Sequence, residues 1–134
     1  MPEYEGTETR YYVSDATLLR VVPAETTGEI RHEVRGVDAE CPYESFHDVY
    51  DVTVAYRPAD HVAEIASLRA YADQFADVEI SHEAFCETVF ADLRGRLAPL
   101  SLSVVAECNE YRGVVTTVTR STDGVAGRRR GVGR

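Results

Sequence analysis

Tyr50-Asp51-Val52-Thr53-Val54-Ala55-Tyr56-Arg57-Pro58 sets a large apolar or aromatic side chain at every second position and then stops on a proline. A period of two is the alternation of a strand with one buried face. Directly afterwards the period changes. Val62, Ile65, Leu68, Ala72 and Phe75 recur every three or four residues, which predicts a helix with one apolar face. Ser81 is a suitable N-cap for a second helix, whose stripe is Phe85, Val89, Leu93 and Leu97 and whose end lies near Pro99. Alternation returns in Leu102, Val104, Ala106 and Cys108, and residues 109–113 form a turn into a last strand over 114–120. Upstream, residues 17–22 and 29–37 flank the Gly-containing connection 23–28, a pattern that predicts a hairpin. Strand runs and helix runs are segregated. That predicts an α+β fold, an antiparallel sheet with two helices packed on one face. A sheet covered on one face keeps its edges and its other face available, so a homo-oligomer with sites at its interfaces is expected.

The chain has 134 residues, 44% hydrophobic and 28% charged, enough for one domain with its own core. The expected layout is a single domain over residues 1–121 and a flexible Gly/Arg-rich tail over 122–134. No apolar run approaches the roughly 20 residues of a membrane span, and the acidic first ten residues do not resemble a signal peptide. The expectation is a soluble cytoplasmic protein with no membrane partner. Formal charge is −9, and all 14 cations are arginine. Such a composition fits adaptation to high salt, where dense carboxylates hold hydration. Four arginines fall within the last seven residues, so the body carries about −13 (−9 minus +4). An acidic body excludes nucleic-acid binding by bulk attraction; only the tail could approach RNA.

Cysteines number three, Cys41, Cys86 and Cys108, which argues for thiols rather than a disulfide framework. Cys41-Pro42 lies in an irregular segment, and Asp48 follows the cysteine by seven positions at the mouth of the strand. This places a soft nucleophile beside a proton-transfer group. Glu64 opens the first helix, and Glu83, next to His82, opens the second. Helix N-termini favour carboxylates for purely electrostatic reasons. A carboxylate can also accept the paired N–H groups of a guanine-like ring. His82 and Cys86, four residues apart on a helix, could share zinc with Cys41 or Cys108, although no Cys-x-x-Cys or His-x-x-x-His pair supports it and no metal is expected. No Gly-rich phosphate loop is present.

Taken together, Cys41-Pro42, Asp48, Glu64 and His82-Glu83 occur in the order and spacing of the nitrile reductase family of queuosine biosynthesis (QueF type). That family shares the tunnelling fold (T-fold) of GTP cyclohydrolase I. Arg112-Gly113 resembles the start of its Arg-Gly-Gly segment, and the likeness covers about residues 38–120. The resemblance implies catalysis on 7-cyano-7-deazaguanine (preQ0). Cys41 would add to the nitrile carbon to give a covalent thioimide, and Asp48 would supply a proton. Ala63, Glu64, Ile65, His82 and Glu83 would hold the deazaguanine ring, and two hydrides from NADPH would complete the reduction to 7-aminomethyl-7-deazaguanine (preQ1). Arg69 and Arg112 are the candidate contacts to that cofactor. The sequence departs from the family pattern at Glu44, Ser45 and His47, and the family's first motif lysine is Ala66 here, its second Arg69. These changes touch the NADPH step. The alternative within the family is amidation of preQ0 in tRNA to archaeosine through the same thioimide, with tRNA as partner. Two readings from other classes are a zinc-dependent GTP cyclohydrolase-like enzyme, with zinc held among Cys41, Cys86, Cys108 and His82, and a non-catalytic deazaguanine- or tRNA-binding module using Glu64 and Glu83.

Overall fold

The computed structural model describes residues 12–122. The tail expected from its Gly/Arg composition therefore lies, apart from Thr122, outside the described residues. In chain order the elements are a 3-10 turn (Ala16–Leu18), β1 (Val21–Pro23), β2 (Ile30–Glu40), β3 (His47–Arg57), β4 (His61–Ala63), α1 (Ile65–Asp73), α2 (His82–Leu97), β5 (Ser101–Cys108) and β6 (Thr117–Ser121). The main sheet has the order β2-β3-β5-β6 and is antiparallel throughout. No helix among the described residues is long and apolar enough to cross a membrane.

Alternation decides which face is buried. On β3, Asp48, Tyr50, Val52, Val54 and Tyr56 point inward, and on β5 Leu102, Val104, Ala106 and Cys108 do the same. Against them pack Leu68, Tyr71 and Ala72 of α1 and Phe85, Val89, Leu93 and Leu97 of α2, forming one continuous core. Each fully buried large side chain contributes on the order of 2 kcal/mol by leaving water. Helix α1 is capped by the Glu64 carboxylate, which accepts from the amides of Ala66 and Ser67. Ser81 caps α2 through the amide of Ala84, and α2 ends where Ala98 turns left-handed (φ 46°) ahead of Pro99. One bulge interrupts the β2–β3 ladder between Val34 and Val37. There Gly36 takes φ 67° and its amide donates to the Asp51 carboxylate at 3.0 Å.

The structure corrects three of the expected element boundaries and pairings. Residues 17–22 do not form a hairpin with 29–37. Their first part is the 3-10 turn, closed by the Asp15 side chain accepting from the Thr17 amide, and β1 pairs with β4 in the register Val21↔Ala63. The reason is tertiary: the Arg20 carbonyl accepts from the Glu64 amide and the Ser67 hydroxyl accepts from the Arg20 amide, so the strand is drawn to the start of α1. Val62 is consequently a strand residue, and α1 starts at Ile65. The last strand begins at Thr117 rather than at Val114, because Val114 is spent closing the turn on Tyr111.

Candidate active site

The inward rows of β3 and β5 run out at the same end of the sheet, and the first residue of α2 arrives there too. Tyr50 is paired in register with Cys108, and Asp48 lies one step further out on the same face. His82 opens α2 above them. The ligand-bearing atoms of Asp48, His82 and Cys108 all lie within 4.8 Å of one another. Beside them is a cavity of about 370 Å³, whose wall also includes Asn109, Tyr111 and Arg112.

Asp48 is 2% exposed, and its Oδ2 has no hydrogen-bond partner. Native proteins rarely leave a buried carboxyl oxygen unsatisfied. Desolvation raises its pKa above the usual carboxylate value, and the nearby His82 charge and the Cys108 hydrogen bond only partly oppose that. Asp48 is thereby suited to hold a proton and release it to a reacting group. Burial pushes the Cys108 thiol up to about 12, with the Asp48 carboxylate adding to the effect. The Cys108 S–H donates to Asn109 Oδ1 at 3.2 Å.

Tyr50 connects the parts. Its hydroxyl lies 2.7 Å from His82 Nδ1, and its ring stacks on Phe85 with centroids 4.1 Å apart. Burial raises the phenol pKa, so Tyr50 keeps its proton and can donate it to Nδ1. In neutral His82 the ring hydrogen then sits on Nε2. Tyr50 is also near enough to Cys108, Asp48, Cys41 and Glu83 for the charge of each to raise its pKa further.

Cys41 follows β2 directly and is half-buried. Its amide donates to the Phe46 carbonyl at 3.0 Å, which closes the segment into a compact loop. The Phe46 ring meets Tyr111 edge-on at 4.5 Å, and the Tyr111 hydroxyl donates to Glu44 at 3.3 Å. The Cys41 loop is thus latched to the cavity wall, although Cys41 itself does not line the cavity. Glu83 is exposed in the first turn of α2.

The remaining candidates lie elsewhere. Ala63, Glu64 and Ile65 form the β4–α1 junction, and none of them lines the cavity of the same chain. The Glu64 carboxylate is held below the usual range by the amides of Ser67 and Ala66, and it faces Arg20 at 3.4 Å. Ile65 beside it is 70% exposed. Arg69 donates to the carbonyls of Arg35 (2.7 Å) and Gly36 (3.2 Å) and pairs with Asp73 at 2.8 Å, so its guanidinium braces the β2 bulge. Arg112 is different: left-handed (φ 54°), exposed on the cavity wall and without an ion-pair partner among the described residues. Cys86 is removed from the metal-ligand set expected for zinc. It is fully buried, contacts the carbonyls of Val104 and Val118 through Sγ, and burial pushes its thiol up to about 11. Asp48 stands with His82 and Cys108 in its place. Tyr50 and Asn109 were not foreseen, because both read as ordinary strand and turn residues.

A family profile described as QueF-like protein matches residues 48–126, more than half of the chain. An NADPH-dependent 7-cyano-7-deazaguanine reductase of Parasynechococcus marenigrum is 29% identical over 96 residues, covering 72% of this chain and 71% of that protein. The protein of the same name from Frankia casuarinae is 32% identical over 90 residues, covering 67% and 72%. Among solved structures, the archaeosine synthase QueF-Like in the apo form aligns with a TM-score of 0.67 at 24% identity, over 72% of this chain and 95% of that one. That likeness supports the α+β tunnelling-type fold, and the relatives of both kinds are enzymes. With the profile spanning Asp48, His82 and the cavity wall, the chain belongs to the QueF-like protein family.

Proposed function

We propose that this protein converts the nitrile of 7-cyano-7-deazaguanine through a covalent bond to Cys41. The observation that carries the reading is a half-buried thiol on a loop fastened to the wall of a cavity beside a buried carboxyl group with one oxygen unpartnered. The Cys41 thiolate adds to the nitrile carbon, one C–N π bond breaks, and the nitrogen takes the proton held by Asp48, giving a neutral thioimide. His82, fixed by Tyr50, presents an Nε2–H donor suited to a ring carbonyl, and Glu83 offers a carboxylate to the ring's N–H groups.

The leading outcome is reduction to the aminomethyl compound, as in the relatives' names. NADPH, when bound, supplies the two hydride equivalents that this requires. Of the two cations considered for it, Arg112 is exposed at the cavity rim, which supports a contact to a phosphate, whereas Arg69 is engaged with backbone carbonyls. That engagement favours a second outcome in which ammonia, not hydride, attacks the thioimide to give an amidine on tRNA-borne base. Ala63, Glu64 and Ile65 reach the ring only from a second copy of the chain, which makes the working form a homo-oligomer; the 70% exposure of Ile65 supports this.

Turnover assays separate the outcomes. Purified protein with preQ0 and NADPH should consume NADPH and yield preQ1. Formation of an amidine from ammonium and preQ0-containing tRNA, with no NADPH oxidation, would replace the reductase reading by the amidating one. Neither product under either condition would overturn the proposal.

A further inference from the structure

We propose that Asp48, His82 and Cys108 form a binding site for zinc, and that zinc and the nitrile substrate compete for it. The competition rests on the function proposed above; the metal site does not. A carboxylate oxygen, an imidazole nitrogen and a sulfur, all within 4.8 Å of one another, come from β3, α2 and β5. Ligands of tetrahedral zinc lie about 2.0–2.3 Å from the metal, so the three groups need only small side-chain rotations to converge on one ion. Sulfur and imidazole select zinc over calcium or magnesium, which take oxygen donors.

Asp48 Oδ2 supplies the independent sign of a missing partner, because it carries no hydrogen bond and belongs to a residue that is 2% exposed and lines the cavity. His82, 31% exposed in its side chain, gives the ion a way in. Three protein donors leave the fourth position of a tetrahedral ion to water from the adjoining space of about 370 Å³. Binding releases the Cys108 thiol proton to solvent and breaks its contact to Asn109 Oδ1. That oxygen keeps the Val49 amide as donor at 3.0 Å, so no buried acceptor is stranded. Ligation through His82 Nδ1 displaces the Tyr50 hydroxyl. A bound ion takes Asp48 out of proton transfer and blocks its approach to the nitrile.

Cobalt(II) is the probe. Metal-stripped full-length protein titrated with Co²⁺ should show, at one equivalent per chain, a thiolate-to-cobalt charge-transfer band in the near ultraviolet and the intense visible bands of a tetrahedral ion, both bleached by Zn²⁺. Cys108→Ser should abolish the charge-transfer band, while Cys41→Ser and Cys86→Ser retain it. His82→Ala, at a partly exposed position, should weaken binding at least tenfold. No charge-transfer band in the wild type, or one that survives Cys108→Ser or disappears in Cys41→Ser, would overturn the site. For the competition, Zn²⁺ should slow adduct formation at Cys41 in the wild type and lose at least tenfold in potency against Cys108→Ser. Equal potency against both would refute it. The cobalt spectrum needs no nitrile, so failure of the metal site and failure of the proposed chemistry are read separately.

Discussion

Asp48 and Glu64 are both carboxylates placed near the start of a helix, at different parts of the fold, and their surroundings drive them in opposite directions. Glu64 is capped into place: two amides and Arg20 meet its oxygens, and its pKa falls. Asp48 is buried with one oxygen unpartnered beside a cavity, and its pKa rises. A satisfied carboxylate is stabilised in its charged form, and an unsatisfied buried one is a reserve of reactivity that the scaffold must hold against its own preference. The lesson is that proximity to a helix start says little about function until the hydrogen-bond partners are counted.

The largest expected effect comes from removing the unsatisfied member. Asp48→Asn should slow nitrile turnover by about 100-fold or more, a typical loss for a general acid, while the thermal midpoint stays level or rises. Steady-state turnover and a thermal melt on the same preparation check both halves, and a variant with full activity would break the contrast.

Next in size is the pH dependence of stability, whose sign differs between the two residues. Asp48 binds its proton more tightly folded than unfolded, so its favourable contribution is present below the ordinary carboxylate value of 3.8 and is lost as pH rises through the raised folded value. Asp48→Asn should therefore gain on the wild type as pH increases. Glu64 binds its proton less tightly when folded, so its contribution is present above 4.5 and is lost as pH falls through the depressed folded value. The deficit of Glu64→Gln should be full at neutral pH and vanish in acid. Urea denaturation from pH 3 to pH 7 reads both slopes, and parallel slopes would contradict the assignment.

Much of this was legible in the residue order. The strand around Val52 and Val54, the Ser81 cap and the return of alternation at Leu102 follow from local periodicity, and the helix pair on one face follows from their segregation. The Cys41, Asp48 and His82 candidates were also visible, because their spacing is a property of the chain. What stayed hidden depends on contacts between distant segments. Pairing of β1 with β4 is set by Arg20 meeting Glu64 and Ser67, which no local turn signal records. Tyr50 sits at an inward strand position and reads as core; only the end of the sheet, where the apolar row runs out and His82 arrives, makes it part of a site. Arg69 looks available until the carbonyls exposed by the Val34/Val37 bulge come within its reach.

Smaller effects are expected at the residues that support the site. Tyr50→Phe leaves His82 without the donor to Nδ1 and should lower kcat severalfold while moving the pH profile of turnover; an unchanged profile would show that the phenol is merely core. His47 lies between Glu40 (2.8 Å) and Asp38 (2.9 Å), whose hydrogen bonds raise its pKa above 6.5. Its contribution is complete below 6.5 and is lost as pH rises through the raised value. His47→Gln should slightly flatten the stability profile over that interval, measured by the same denaturation series.

Intact-protein mass spectrometry after incubation with preQ0, without NADPH or ammonium, detects the proposed bond to Cys41 itself. One preQ0 mass should be added per chain, localised to Cys41 by peptide mapping, absent in Cys41→Ala and slow to form in Asp48→Asn. No adduct in the wild type, or an adduct carried by Cys86 or Cys108, would contradict it.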